Sequence, residues 1–212
     1  MTSVSAQVSW RVRLPPWVKP VVWSLALAPM VYLVWALLNN ALGANPAEAV
    51  IRSTGDWTLR MLCVVLAVTP LRRLLNAPSV LTLRRLLGLF VFFYATVHLL
   101  SYSVLDMGFD PVSILIDVYE RPFITVGVAA WLLLLALTAT SPKVIVKRMG
   151  GKRWQRLHKA VYLVAGLAVL HFFWMRSGKQ DFAEVWLYGA VMAVLLVSRV
   201  LFKRALRPAL QS

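Results

Sequence analysis

The chain has 212 residues, 60% of them hydrophobic, a mean hydropathy of +0.72 and a formal net charge of +15. A soluble domain averages about 45–50% apolar residues. Here the excess falls in long blocks, so an all-α integral membrane protein is expected, a single domain over residues 1–212, rather than a soluble enzyme or a nucleic-acid binder. The one cysteine, Cys63, excludes an internal disulfide, a thiolate zinc centre, a multi-cysteine iron–sulfur cluster and the paired-cysteine attachment of c-type haem. It lies in an apolar run and reads as plain packing.

Residues 1–16 are polar and basic, with Arg11 and Arg13 ahead of Pro15-Pro16. The first apolar run, about 17–38, has the roughly 20 residues a span needs and exceeds the apolar core of a cleaved leader, so it reads as a retained helix. Pro29 is expected to kink it, with a neighbouring helix satisfying the freed carbonyl. Residues 39–54, NNALGANPAEAVIRST, read as a loop. A second span covers about 55–69 and ends at Thr69-Pro70; the linker LRRLLNAPSVLTLRR leads to a third, about 85–104, which carries His98. DMGFDPVSILIDVYER reads as a loop before the fourth span, about 122–140. A basic loop, KVIVKRMGGKR, precedes the fifth span, about 154–175, which carries His158 and His171. The sixth span, about 185–202, precedes a basic tail, and no sequence repeat or low-complexity segment is visible.

Charge orients these six spans. Arg11, Arg13, Lys19, Arg72, Arg73, Arg84, Arg85, Lys143, Lys147, Arg148, Lys152, Arg153, Arg156, Lys203, Arg204 and Arg207 fall on one side, and all eight acids on the other: Glu48, Asp56, Asp106, Asp110, Asp117, Glu120, Asp181 and Glu184. The positive-inside rule then puts both termini in the cytoplasm. The basic charge is therefore topological, and the tail can also meet anionic lipid. Trp17, Trp57, Trp154 and Trp186 lie near span ends, as an aromatic belt predicts.

Ionisable groups inside a membrane are expensive and mark function, and neutral imidazole is a common ligand of haem iron. His98 lies 13 residues after Arg85 and His171 lies 18 after Arg153, rises of about 20 and 27 Å that place both in the outer half. His158 is only five residues past Arg153, at the cytoplasmic edge. Depth thus pairs His98 with His171 as axial ligands of one haem iron. Two such ligands leave little room for oxygen at the metal and favour electron transfer. His158 and His171 are 13 residues apart, about 140° off a shared face in an ideal helix. His158 is either a solvated interfacial side chain or a contact for a second haem or a quinone. Arg84 shares the face of His98 and serves either as an interfacial anchor or as a partner for a haem propionate or another anion.

RRLLGL at Arg84–Leu89, ATVHLLSY at Ala95–Tyr102, RPFITVG at Arg121–Gly127 and WQRLHKAVYL at Trp154–Leu163, in that order and spacing, resemble the ferric-reductase-like transmembrane domain family. LGANPA at Leu42–Ala47 and TGDWTLR at Thr54–Arg60 add to the likeness, which covers nearly the whole chain. It implies six helices with haem ligands on the third and fifth. Within the family it points to the haem b subunits, also described with FMN, that serve bacterial methionine sulfoxide repair. Such a subunit passes electrons from the quinone pool, or from a flavin reductase, across the inner membrane to a periplasmic molybdopterin enzyme. The wider family carries two histidines on each ligand helix. Here the third span has only His98, with Arg84 where the inner partner would stand, so one haem or two remains open.

The ten residues after Phe202 hold no nicotinamide-binding domain, so the donor is expected to be a separate molecule. No Ser–His–Asp set or acid pair suggests bond-making catalysis; the chemistry is left to the partner. The rival readings are a small permease or metal transporter without haem, and a structural assembly subunit. Spans read as free of acids, with no inverted repeat, speak against the permease.

Overall fold

The computed structural model describes residues 14–178 and 180–205. Arg11, Arg13 and Arg207 lie outside them, as do the side chains of Lys203 and Arg204. All regular structure among the described residues is helical: α1 Val18–Leu38, α2 Pro46–Leu74, α3 Leu81–Ser101, α4 Pro111–Glu120, α5 Pro122–Ala139, α6 Lys143–Met149, α7 Gly151–His158, α8 Val161–Ser177 and α9 Ala183–Ala205. A 3-10 turn, Pro78–Val80, leads into α3, and a π-helical turn, Tyr102–Asp106, ends it.

Among the described residues, four stretches are long and apolar enough to cross a membrane: Val18–Leu38, Pro78–Asp106, Pro122–Ala139 and Gly151–Ser177. This makes a multi-pass membrane protein. Helix α2 has the length, but Glu48, Arg52, Asp56 and Arg60 dilute its hydropathy.

Several expected loops are helices. Residues 46–54 belong to α2, because Asn45 caps it, accepting from the Glu48 amide at 3.1 Å, and Pro46 occupies the first turn, where no amide is missed. The segment after Asp106 contains α4, capped by Asp110, which accepts from the amides of Val112 and Ser113, and again opened by a proline. The basic stretch before the fifth span forms α6 and the first turn of α7, parted by Gly150 at φ +79°.

Pro70 does not end α2, which continues to Leu74. A proline inside a helix removes the amide that would serve the carbonyl four residues earlier. Here that carbonyl belongs to Leu66, and Arg199 Nη2 donates to it at 2.5 Å from α9. At Pro29, inside α1, the expected help from a neighbour takes a related form: the Tyr94 hydroxyl of α3 donates at 2.8 Å to Ala26, one residue past the carbonyl that Pro29 leaves without its amide.

Helix α2 packs along α3, and α5 along α8; α3 meets α5 between the two pairs, and α9 lies against α2. Leu62, Leu66, Val91, Tyr94, Val164 and Ala165 are fully enclosed where these helices meet. Leu25, Val31, Leu132 and Val194 point outward, as a surface solvated by lipid requires. Cys63 is half-buried against this core, as expected. Trp17 and Trp186 are exposed near helix ends, but Trp57 and Trp154 turn inward, stacking on Tyr94 and His158.

Candidate functional site

Two cavities lie among α2, α3, α5 and α8, one above the other. The first, at the acidic end, is about 330 Å³, with walls from Leu59, Ala95, Val128, Ala130, Ala168 and Phe172. His98 of α3 and His171 of α8 meet across it, ring centroids 6.2 Å apart and ring planes at 79°. Two imidazoles sharing one metal ion through bonds of about 2 Å put their ring centres about 6 Å apart.

Each ring is fixed by its other nitrogen. His98 Nδ1 lies 2.9 Å from the Ile51 carbonyl oxygen, and His171 Nδ1 lies 2.7 Å from that of Phe123. A carbonyl only accepts, so Nδ1 carries the proton in both rings and Nε2 keeps its lone pair. This is the arrangement of ligating histidines, whose second nitrogen donates to a carbonyl or carboxylate that sets tautomer and orientation. Beneath each ring is a glycine. A Cβ on Gly55 of α2 would stand 3.1 Å from the His98 ring, and one on Gly127 of α5 would stand 2.9 Å from that of His171. The donor set, the spacing and the apolar walls fit a six-coordinate haem.

The rim of this cavity is charged but balanced. Arg176 is 5% exposed, paired with Asp181 at 3.3 Å and with Glu184, and stacked over Phe172. Arg121 holds the buried Asp117 at 2.6 Å, and the Tyr102 hydroxyl donates to the same carboxylate at 2.5 Å. Arg52 pairs with Glu48 at 3.5 Å. The one-sidedness of the acids is thus offset by arginines at the same end. Asp56 also lines the cavity from within α2, so the expectation of acid-free spans does not hold there.

His158 and Arg84 line the second cavity, about 470 Å³, at the basic end, with Arg85, Lys143 and Lys147 at its mouth and Leu62, Val91, Leu134 and Val161 inside. His158 stacks on Trp154 at 4.0 Å between centroids, and its Nε2 lies 3.2 Å from Thr140 Oγ1. The expected opposition of His158 and His171 is relieved by a break between α7 and α8. Bonds from Lys159 to Arg156, Ala160 to Leu157 and Tyr162 to Lys159 skip only three residues, and each such step turns about 120° instead of 100°. Both histidines therefore open onto the bundle interior, at different depths, as the depth argument required.

The model for "Ferric reductase like transmembrane component" matches residues 54–169, more than half of the chain and all four cavity-lining helices in part. The chain belongs to the ferric-reductase-like transmembrane family. Its similar relatives in that family include the haem-binding subunit MsrQ of the protein-methionine-sulfoxide reductase of Polaromonas naphthalenivorans (strain CJ2), 55% identical over 187 residues, or 88% of this chain and 85% of that one. MsrQ of Ralstonia nicotianae is 52% identical over 183 residues, 86% of this chain and 84% of its own, and MsrQ of Bordetella pertussis 50% over 183 residues, 86% and 88%. The resemblance read from the histidine-bearing motifs is thereby shown, in the family and in its MsrQ branch.

The sequence singled out the three histidines and Arg84, all of which line the two cavities, but not the groups packed against the rings. The Ile51 and Phe123 carbonyls carry no side-chain signal. Gly55 and Gly127 stood inside motifs already singled out, TGDWTLR and RPFITVG, where a glycine within an apolar helix was the available hint.

Proposed function

We propose that this chain is a haem b electron-transfer subunit of a bacterial protein-methionine-sulfoxide reductase system. It forms one domain of six inner-membrane spans with both termini in the cytoplasm. It passes electrons from the quinone pool, or from a flavin donor supplying FMN, to the periplasmic molybdopterin-containing catalytic subunit MsrP, which repairs oxidised envelope proteins. The observation that carries this reading is the facing pair His98 and His171, each with Nδ1–H committed to a carbonyl and Nε2 bare.

Bound haem supplies a reversible one-electron couple. His98 and His171 would hold the iron, and donation to the Ile51 and Phe123 carbonyls would keep both imidazoles neutral and strengthen them as ligands. The apolar walls would exclude water, and Arg52, Arg121 and Arg176 on the rim would offer guanidinium groups to an anionic substituent. In the basic cavity, Arg84 offers a guanidinium to an anionic group. His158, backed by Trp154, takes either a second haem, whose other ligand cannot be a histidine in a chain with three, or the ring of the donor.

The test is a pyridine haemochrome count per chain on purified protein. Wild type should carry a reducible b-type Soret band that His98→Ala and His171→Ala each lose. Retention of full haem by both variants removes these residues from the iron, and a colourless folded protein that moves a solute favours the permease.

A further inference from the structure

The two histidine seats repeat one pattern on different helices. On α2 the accepting carbonyl is Ile51 and the glycine under the ring is Gly55; on α5 they are Phe123 and Gly127, again carbonyl first and glycine four residues on, one helical turn along the same face. We propose that Gly55 and Gly127 are positioning residues. Each lets an imidazole lie flat against a neighbouring helix within reach of the carbonyl one turn away, and together they hold the two axial ligands crosswise. The inference rests on the haem reading above.

Geometry separates these glycines from the others in the helices. Nothing lies within 4 Å of a Cβ added at Gly88 or Gly166, and at Gly189 the nearest atom is 3.8 Å away. At Gly55 the added carbon meets His98 Cε1 at 3.1 Å and Nδ1 at 3.2 Å. At Gly127 it meets His171 Nδ1 at 2.9 Å and Cε1 at 3.0 Å. Neither ring can retreat freely, because the displaced atom is the one bonded to the carbonyl. Alanine favours a helix interior over glycine, so a glycine with no seating role gains stability on substitution.

The 79° between the rings has an electronic consequence. Crossed axial imidazoles leave the two iron dπ orbitals nearly equal in energy, and a low-spin ferric haem then gives a highly anisotropic EPR signal dominated by one low-field feature. Parallel imidazoles split those orbitals and give a rhombic signal. The seats therefore set the ferric electronic structure as well as ligand position.

The experiment is low-temperature EPR with a haemochrome count on haem-loaded, detergent-solubilised protein: wild type, Gly55→Ala, Gly127→Ala and Gly166→Ala. Wild type should give the highly anisotropic signal and Gly166→Ala should match it. Gly127→Ala, with the closer contact, should lose most of its haem or shift to a rhombic signal, and Gly55→Ala should shift less. Where Gly127→Ala yields no folded protein, Gly55→Ala decides. A rhombic wild-type signal, or wild-type spectra at full haem content in the glycine variants, overturns the proposal. Haem retained in both His98→Ala and His171→Ala instead sinks the haem reading itself, so the two failures are told apart.

Discussion

Arg199 closes the gap that Pro70 opens, and a double-mutant cycle measures it. Arg199 donates to the Leu66 carbonyl at 2.5 Å and to the Tyr162 hydroxyl at 2.9 Å, and its guanidinium lies 5.3 Å from the centre of the Tyr162 ring. In Arg199→Met the buried carbonyl loses its donor, which costs about 1–3 kcal/mol. The lost tyrosine bond adds about 0.6–1.7 kcal/mol at intramembrane values, and the cation–π contact about 0.5–2. Arg199 Nε is itself buried without a partner, so its removal offsets part of this. The expected net loss is about 2–5 kcal/mol. At roughly 2–4 °C per kcal/mol for a chain of this size, that lowers Tm by about 4–20 °C. Pro70→Ala restores an amide to the Leu66 carbonyl. In that background Arg199→Met should cost about 1–3 kcal/mol less, since only the carbonyl term is shared between the two sites. Thermal unfolding in detergent of the four proteins of the cycle reads the coupling. Strict additivity refutes the reasoning, because it means Arg199 and Pro70 do not meet at Leu66.

Tyr102→Phe should destabilise the acidic end by about 1.5–3 kcal/mol, the range for a hydrogen bond to a charged group, while Asp117 keeps Arg121; denaturation of the variant reads this. Asp110 titrates below the usual carboxylate range because the Ser113 hydroxyl and the amides of Ser113 and Val112 donate to it. A depressed pKa contributes stability above the unfolded value and loses it as pH falls through the folded one, so hydrogen exchange in the first turn of α4 should quicken in acid, and Ser113→Ala should move that onset to higher pH. His158→Gln should leave the haem of the His98–His171 pair in place by Soret spectrum, while lowering either the haem count or the rate of reduction by the donor.

Apolar periodicity made α1, α3, α5 and α8 legible, and helical rise alone put His98 beside His171 and His158 below them. The helices that went unread have polar or mixed surfaces. Asn45-Pro46 and Asp110-Pro111 were both present as cap-and-proline starts, but composition outweighed them, so the beginning of α2 and all of α4 read as loop. The α7–α8 break has no proline or glycine at Lys159-Ala160 to announce it, and it undid a phase argument that assumed one straight helix. Pro70 misled in the other direction, because its tolerance depends on Arg199, 129 residues further along the chain. Arg176, Asp181 and Glu184 are spread over nine residues, and only the folded chain brings the two acids back onto the guanidinium. Pairings made across helices are invisible to any reading that treats each span alone.

The two cavities bear on whether electrons cross the whole bilayer. Arg84 and His98 are 14 residues apart on one face of α3, an axial separation of about 21 Å, and His158 and His171 are about 20 Å apart on α7–α8. A haem between His98 and His171 therefore leaves the basic half of the bundle unspanned, and transfer between redox centres slows steeply with distance. Two arrangements satisfy this. A second carrier sits in the basic cavity against Trp154 and His158 and relays electrons outward. Otherwise a quinol reaches the acidic-end cavity directly from the surrounding membrane, and nothing crosses. Reducing the protein with a quinol in detergent, and with a soluble reduced flavin applied to oriented vesicles, separates them. Flavin reduction from the face of the basic cavity alone, abolished by Arg84→Met or His158→Gln, requires the relay. Quinol reduction that survives both substitutions, with one haem per chain, removes the basic cavity from the path and limits the chain to conduction within its acidic half.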